Sequence, residues 1–327
     1  ENDQVALRNT AIVGRISRPS PLVSSKVSDI ILNPYWTAPR SIVEKDIVPL
    51  MQKDPTYLER NAIRLIDGDN GVGPLVGMHA LRAAMAAAET NGVGIAFARN
   101  SNHFGPISPY GLLAAEAGFA SIIGSNATTT IAPWGGTDAR VGNSPIGFGV
   151  PNPDGRHFLL DMAMSVVARA KIRNALKAGT SIPDTWATDA QGLPTTDPKQ
   201  ALDGFLQPIG GHKGYGLALL VDMFAGLLSN AAYLTHVKSW VDAPDEPQNL
   251  GHFFILIDTR LLGSAQWLSE RMMDFAAILH ESPAVDATKP VIVPGEIELK
   301  KMAQQRAEGI VLDSATVQLL LQHAGGR

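Results

Sequence analysis

The chain has 327 residues, of which 45% are hydrophobic and 18% charged, and its formal net charge is -4. This length allows one large core or two modest ones, and the composition is that of an ordinary globular enzyme. The acidic balance argues against a nucleic-acid partner, since such proteins carry clustered positive charge. The absence of cysteine excludes disulfides, thiolate metal sites and cysteine nucleophiles.

Two regions differ in composition. Residues 1 to about 66 are rich in Pro, Ser and β-branched residues, whereas the chain from about Leu65 onward is rich in Ala and Gly. In the second region, hydrophobic patterns and stop signals predict helices and strands in alternation. In chain order they are a helix over 78–90, a strand over 93–98, a helix over 109–117, strands over 120–124 and 158–160, helices over 165–177 and 215–228, and a strand over 253–257.

The longest apolar stretch, residues 217–228, contains Asp222 and is too short to cross a bilayer. The sequence starts at Glu1 and shows no signal-like apolar core. We therefore expect a processed or partial product that is cytoplasmic and does not bind membranes.

Polar residues follow the predicted strands. His103 comes after the first strand, Ser125 and Asn126 after the second, and Asp161 after the third. In layered α/β structures, ligands gather where strands open into loops, so we expect these side chains to converge if the strands share one sheet.

Two glycine-rich stretches resemble phosphate loops only loosely. The first, residues 71–77, has G-x-G-x-x-x-G spacing and is separated from the preceding strand by a turn, so a plain turn is favoured over a dinucleotide fingerprint. The second, residues 210–216, lacks the Walker spacing, although Lys213 beside free helix N–H groups could bind an anion. A surface turn that caps a core helix explains the second stretch equally well.

His103 and Asp161 are the candidates for catalysis. General acid catalysis needs a proton donor, and histidine titrates nearer neutrality than any other side chain. Asp161 could orient an imidazole or bind a ribose hydroxyl, but it could equally cap a helix. The histidines show no metal-ligand spacing, and no G-x-S-x-G motif for a serine nucleophile is present. We expect no metal.

A series of phrases in one order resembles the malate/L-lactate dehydrogenase family, which also contains sulfolactate, ureidoglycolate and piperideine-carboxylate oxidoreductases. The resemblance covers residues 65–327 and rests on stretches 66–71, 99–105, 133–136, 142–145, 160–165, 211–217, 251–254 and 294–296.

The resemblance implies an α+β fold that is not a Rossmann fold, with a mixed sheet covered by helices. It implies a homodimer that transfers a hydride between NAD or NADP and a small 2-keto or cyclic imino acid. His103 corresponds to an acid/base histidine of some members. The residues implied to contact the cofactor are Ser125, Asn126, Phe158, Leu159, Leu160, Asp161, Met162, Ala163, His212, Lys213, Gly295, Glu296 and Ile297.

Two departures from the family pattern matter. The family's amino-terminal Ser-His-Gly phrase, whose histidine is the proton donor in several members, is not found here, and Ala170 replaces the usual glycine before Lys171. The alternative function is therefore a protein that binds the cofactor but is catalytically impaired.

Residues 8–67 resemble a stretch of the large L,D-transpeptidases, whose nucleophile is a cysteine that this chain lacks. We expect residues 1–66 to be a transpeptidase-like segment without catalytic function of its own, with residues 67–327 as the oxidoreductase domain. A peptidoglycan-binding role for the first segment is a further hypothesis.

The sequence thus predicts one crevice that holds the imidazole of His103, the carboxylate of Asp161 and the ammonium of Lys213 around a small carboxylate substrate. Arg99, Arg140 and Lys171 are candidate partners for the substrate carboxylate, although each could also be a surface residue.

Overall fold

The computed structural model describes residues 63–240 and 243–324. The strands are β1 (Ile63–Asp67), β2 (Val93–Ser101), β3 (Phe119–Ser125), β4 (Thr129–Ile131), β5 (Val141–Gly142), β6 (Ile146–Val150), β7 (Phe158–Met162) and β8 (Leu250–Asp258). The helices are α1 (Gly73–Asn91), α2 (Ser108–Glu116), α3 (Arg169–Ala178), α4 (Pro198–Asp203), α5 (His212–Asp222), α6 (Ala265–His280), α7 (Glu296–Glu308) and α8 (Ser314–Ala324).

Six strands form a mixed sheet in the order β1-β2-β8-β3-β6-β7, and β4 pairs with β5 in a separate ribbon. Strand β1 is parallel to β2, whereas the pairs β2–β8, β8–β3, β3–β6 and β6–β7 are antiparallel. It follows that β1, β2, β3 and β7 all run in the same direction.

Both faces of the sheet are covered. In the central strand β8, Phe254 and Leu256 face a core formed with α1 and α2, and Phe253 belongs to a second core formed with α3 and α5. Because successive side chains of a strand point to opposite faces, a strand buried on both sides must be apolar throughout. This explains the near-continuous apolar run of β8.

The predicted elements are present, with shifted boundaries. Helix α1 begins at Gly73 rather than at residue 78, since Pro74 in its first turn is compatible with a helix start. Strand β2 continues to Ser101, so part of the predicted polar loop is strand. Helix α3 begins only at Arg169, and α5 begins at His212 and continues into a π-helical turn, Met223–Leu227.

Three carboxyl-terminal helices, α6 to α8, differ from the rest because they contain no buried residue. The side chains of Trp267, Phe275 and Ile278 on α6 are between 42% and 62% exposed. These helices therefore leave an apolar surface uncovered.

Candidate active site

The ends of three strands meet at one edge of the sheet. Strands β2, β3 and β7 run in the same direction and end at Ser101, Ser125 and Met162. The strands therefore share one sheet with their ends on the same side, which is the condition under which we expected the polar side chains to converge.

A cavity of about 600 Å³ opens at this edge. Its lining includes three of the predicted site residues together with His103: Ser125, Asn126 and Ala163. The remaining lining comes chiefly from residues 127–130, from Arg169 and Arg173 on α3, and from Ser239, Trp240 and Gln248. A larger cavity of about 790 Å³ lies beside Glu116 and Arg260 but contains none of the strand-end residues. We therefore take the first cavity as the candidate site.

His103 lies on the loop that follows β2, and local contacts fix its ring. Its Nδ1 accepts a hydrogen bond from the N–H of Gly105 at 3.3 Å, and the ring stacks on Trp240 with 5.8 Å between centroids. Since an N–H group donates to Nδ1, the neutral ring carries its hydrogen on Nε2. Nε2 is therefore the ring nitrogen left for a ligand.

Gly73 explains part of the first glycine-rich stretch. A Cβ atom at this position would collide with the carbonyl oxygens of Asn102 and His103. The N-terminus of α1 thus packs directly against the loop that carries His103, and only glycine permits that approach. Gly73 is therefore required for packing. The spacing of the glycines in the sequence could not show this.

A fully buried histidine, His252 of β8, lies below this loop. Its Nδ1 lies 2.8 Å from Ser125 Oγ, and its Nε2 lies 2.7 Å from Ser101 Oγ. The ring also stacks on Phe104 at 4.3 Å, nearly parallel. Burial, with a smaller contribution from the nearby His103, lowers the pKa of His252 to about 3, so the ring is neutral near pH 7.

Ser125 and Asn126 line the cavity, but their side chains are bonded within the chain. Ser125 Oγ donates to the carbonyl of Asn126 at 2.9 Å. Asn126 Nδ2 donates to the carbonyl of Ala232 at 2.6 Å, and Asn126 Oδ1 accepts from the N–H of Gly251 at 3.0 Å. These bonds hold the end of β3, and a contact between these residues and a cofactor stays a prediction.

The positive charges in the cavity come from α3. Arg169 donates to the carbonyl of Leu202, and Arg173 has no hydrogen bond or ion pair with another described residue. The carboxylate partners suggested by the sequence lie elsewhere: Arg99 pairs with Asp67 at 3.3 Å, Arg140 pairs with Asp138 at 2.7 Å, and Lys171 is exposed outside the cavity.

Asp161 does not lie beside His103. Its Oδ2 accepts hydrogen bonds from the N–H groups of Ile107 and Ser108 at 2.8 and 2.9 Å and from Ser108 Oγ at 2.8 Å. It therefore caps the N-terminus of α2. Asp161 is the last but one residue of β7, and its carboxylate reaches the start of α2, whereas Ala163 lies beyond the end of the strand at Met162 and lines the cavity.

The other predicted cofactor residues line two neighbouring cavities. Leu159, Leu160 and Asp161 share a cavity of about 170 Å³ with Gly295 and Ile297. Phe158 and Glu296 line a separate one of about 490 Å³. Met162 is half-buried at the end of β7, where it packs against the core between the sheet and α3 and α5.

His212 and Lys213 are exposed at the start of α5, where His212 contacts Trp134 edge to face at 5.9 Å. Neither residue lines the cavity of His103. The predicted single crevice for His103, Asp161 and Lys213 is therefore divided: His103 is in the main cavity, Asp161 is in the small one, and Lys213 is on the surface.

Several residues of the site had no clear signal in the sequence. His252 lies in an apolar strand where a histidine is unusual, and that contrast was the available sign. Trp240 and Arg173 lie far from His103 along the chain, so only the fold brings them to the same cavity. Within the described residues no group of three His, Asp or Glu could hold a metal ion. No helix in residues 63–240 or 243–324 is long and apolar enough to cross a membrane.

The sequence pattern of the malate/L-lactate dehydrogenase family matches residues 43–321, and the chain belongs to that family. It is 38% identical over 219 residues to a malate dehydrogenase of Pyrococcus horikoshii, which covers 64% of this chain and 58% of that enzyme. It is 33% identical to the L-sulfolactate dehydrogenase of Methanothermobacter thermautotrophicus, over 80% of this chain and 75% of the relative. It is 32% identical to the ureidoglycolate dehydrogenase (NAD(+)) of Escherichia coli, over 80% and 74%.

Comparison with solved structures supports the same family and fold. The malate dehydrogenase of Entamoeba histolytica matches with a TM-score of 0.73 at 27% identity, over 80% of this chain and 76% of that one. The delta1-piperideine-2-carboxylate reductase of Pseudomonas syringae matches with a TM-score of 0.71 at 28% identity, over 80% and 77%. The predicted family and the predicted fold class, a mixed sheet covered by helices of the sulfolactate/malate dehydrogenase type, are confirmed.

The chain thus spans little more than half the length of the malate dehydrogenase from Pyrococcus horikoshii. The family match begins at residue 43, upstream of the boundary predicted at residue 66. The transpeptidase-like stretch, residues 8–67, lies outside the described residues apart from Ile63–Asp67, and that resemblance stays a prediction.

Proposed function

We propose that the chain is an NAD(P)-dependent oxidoreductase that interconverts a small 2-keto acid and its 2-hydroxy acid, or reduces a cyclic imino acid. The observation that carries this proposal is one cavity of about 600 Å³ that holds both His103 and Arg173. Such a volume is typical of sites for small ligands. The cavity brings together His103, which can supply a proton, and Arg173, which can bind a carboxylate.

The residues around the cavity fit a nicotinamide dinucleotide. Ala163 lines the main cavity, and Leu159 to Asp161, just before it in the chain, line the small one. Gly295 has a φ of 101°, and a Cβ there would lie 2.9 Å from the backbone N of Leu159, so its peptide lies against β7. We assign the nicotinamide end to the cavity of His103, and the opposite end to the residues around Asp161 and Gly295.

The bound cofactor supplies the hydride that adds to C2 of the keto acid. His103, in its protonated form, gives the Nε2 proton to the keto oxygen as negative charge develops there. In the protonated ring Nδ1 also carries a hydrogen, so the contact with Gly105 N–H must break when the ring takes up its second proton, before this step, and the transfer leaves the ring with its hydrogen on Nδ1. The ring of Trp240 limits rotation of the imidazole because the two planes differ by only 8°.

Arg173 binds the substrate carboxylate in this scheme, and Arg169 contributes a second positive charge. The two residues are four positions apart on α3 and therefore lie on the same side of the helix. A planar guanidinium matches the two oxygens of a carboxylate. This arrangement orients the keto group relative to His103.

The test is oxidation of NADH and of NADPH, followed at 340 nm with a panel of 2-keto and cyclic imino acids. Active protein is expected to lose about 10²- to 10⁴-fold in kcat when His103 is replaced by Gln, as is usual for a general acid. His236→Gln is the matched control, because His236 is exposed, lies outside α6 to α8 and lines none of the cavities described. Turnover that survives His103→Gln removes His103 from the mechanism. Thermal stabilisation by NADH without turnover favours the catalytically impaired alternative.

We further propose a homodimer in which α6 to α8 contact a second copy. The support is that these helices bury no residue within the chain and expose Trp267, Phe275 and Ile278. Exposed apolar patches of this kind mark interaction surfaces. Light scattering after gel filtration is expected to give twice the mass of the chain, and Phe275→Glu is expected to give a monomer. A wild-type monomer contradicts the proposal.

Two further assignments remain proposals. The need for a recycled nicotinamide pool supports a cytoplasmic location.

A separate segment over residues 1–66 is supported by its distinct composition, and a variant that starts at residue 59 is expected to retain NADH binding. Loss of NADH binding in that variant contradicts the separate segment.

A further inference from the structure

The fully buried His252 joins the two strand ends that carry the walls of the cavity. Its ring lies between Ser101, the last residue of β2, and Ser125, the last residue of β3. The chain continues from Ser101 to His103, and from Ser125 to Asn126. One ring therefore spans the distance between the proton donor and the opposite wall.

The hydrogen-bond network assigns the hydrogens of this cluster. Ser125 Oγ donates to a backbone carbonyl, that of Asn126 at 2.9 Å or of Gly251 at 3.2 Å, so it accepts from His252 Nδ1–H. His252 Nε2 then accepts from the hydroxyl of Ser101. The ring is neutral and fully bonded, as a buried polar group must be to avoid a large desolvation cost.

The same ring also supports the loop that carries His103. Phe104 follows His103 in the chain and lies flat on His252, with 4.3 Å between centroids. The carbonyl of Phe104 accepts a hydrogen bond from Tyr110 Oη at 2.7 Å. The position of His103 is therefore constrained by its neighbour Phe104, which contacts both His252 and Tyr110.

We propose that His252 is a positioning residue for the reaction, which sets the separation between His103 and the Ser125–Asn126 wall without touching the substrate. The proposal rests on the proposed function of this cavity. It accounts for the placement of a polar ring in an otherwise apolar central strand. A displacement of about 1 Å at a catalytic group costs up to about 100-fold in rate.

Three substitutions separate positioning from folding. His252→Phe keeps a flat ring against Phe104 and removes both hydrogen bonds. Neither serine is then left without an acceptor, because Ser125 Oγ reaches two carbonyls and Ser101 Oγ reaches the carbonyl of Asn102 at 3.3 Å. His252→Asn places an amide where Nδ1 was, facing Ser125, and His252→Gln places one nearer Nε2, facing Ser101.

The first measurement compares kcat with the dissociation constant of NADH, the latter by cofactor fluorescence. We expect His252→Phe to lower kcat 10- to 100-fold, to change the NADH dissociation constant less than threefold and to retain a cooperative thermal transition. Asn or Gln is expected to restore part of kcat, and the better of the two identifies the strand end that matters more. An unchanged kcat in His252→Phe overturns the proposal, as does a loss that Asn and Gln do not reduce.

If His252→Phe fails to fold, Ser101→Ala and Ser125→Ala decide, since each removes one bond and keeps the ring. Each is expected to lower kcat, and the double variant is expected to lower it by less than the product of the two separate losses, because both act through the same ring. Wild-type kcat in both single variants overturns the proposal.

The second measurement does not depend on turnover. The chain has eight histidines, so ¹⁵N-histidine labelling with His103→Gln and His252→Phe assigns both rings. Wild-type His103 is expected as the Nε2–H tautomer, and as a mixture of tautomers in His252→Phe. Unchanged His103 shifts in that variant overturn the proposal. A wild-type protein without turnover that nonetheless shows this tautomer change contradicts the proposed function and supports the positioning role.

Discussion

The two walls of the cavity differ in how their polar groups are satisfied. We define the strand-end wall as Ser125 and Asn126, which line the cavity, together with Ser101 and His252, which are bonded to Ser125 through the His252 ring and do not line it. Each of these side chains is bonded within the chain and is at most 3% exposed. In the α3 wall, defined as Arg169 and Arg173, Arg173 has no bond to another described residue. The comparison indicates a division of labour, because a bonded interior wall fixes geometry while an unbonded cation is available to an anionic ligand.

The largest effect on activity is expected when the charge of Arg173 is removed. Arg173→Gln is expected to lower kcat/KM for the keto acid roughly 10- to 100-fold, since a charge-assisted hydrogen bond contributes about 1.5–3 kcal/mol. The NADH dissociation constant is expected to stay within about threefold, which cofactor fluorescence measures.

Lys171→Gln is the matched control for Arg173. It removes the same charge two positions earlier on α3, from an exposed residue outside the cavity. Equal effects of the two substitutions indicate a general field of the helix, and no effect of either excludes α3 from substrate binding.

The strand-end wall predicts a pH dependence of stability. The pKa of His252 is about 3 in the folded chain, against about 6.5 for an unfolded histidine. Below pH 6.5 the unfolded state binds a proton that the folded state does not, so the free energy of unfolding falls as pH falls from 6.5 toward 3. Between pH 7 and pH 5 this group alone is expected to remove about 2 kcal/mol.

Urea unfolding at pH 7 and pH 5 measures this loss, and His252→Phe is the comparison. Other groups titrate in both proteins, among them Asp222, whose pKa is raised by burial. The difference between the two pH dependences therefore isolates His252. Parallel pH dependences for wild type and variant show that the ring is not held neutral in the folded chain.

The elements and the edge at which the polar residues gather could be predicted from the sequence. The apolar runs of β2 and β3 and the polar residues after them are local signals, and the family phrases covered the same stretches. The direction of individual side chains could not be predicted, because a shift of one residue along a strand moves a side chain to the opposite face. The end of a strand is equally hard to place, and Asp161 and Ala163 line different cavities because β7 ends at Met162, between them. Arg173, Trp240 and His252 join the site only through contacts between residues distant in sequence.

The smallest effect on stability is expected for Asp161. At this residue the sequence prediction, a catalytic role, and the observed geometry, a helix cap, can be compared most directly. As a cap that accepts two backbone N–H groups at the start of α2, it is expected to contribute about 0.5–2 kcal/mol, so Asp161→Ala lowers the free energy of unfolding by that amount. Asp197→Ala is the matched control, because Asp197 caps α4 by accepting from Lys199 N–H and lines none of the cavities described.

If Asp161 acts only as a cap, kcat falls no further in Asp161→Ala than in Asp197→Ala. If the cofactor reaches the small cavity, the NADH dissociation constant rises in Asp161→Ala alone while kcat at saturation is kept. A loss of kcat above 100-fold at saturating NADH instead restores the catalytic role that the sequence suggested, and requires the carboxylate to move toward His103 when ligands bind.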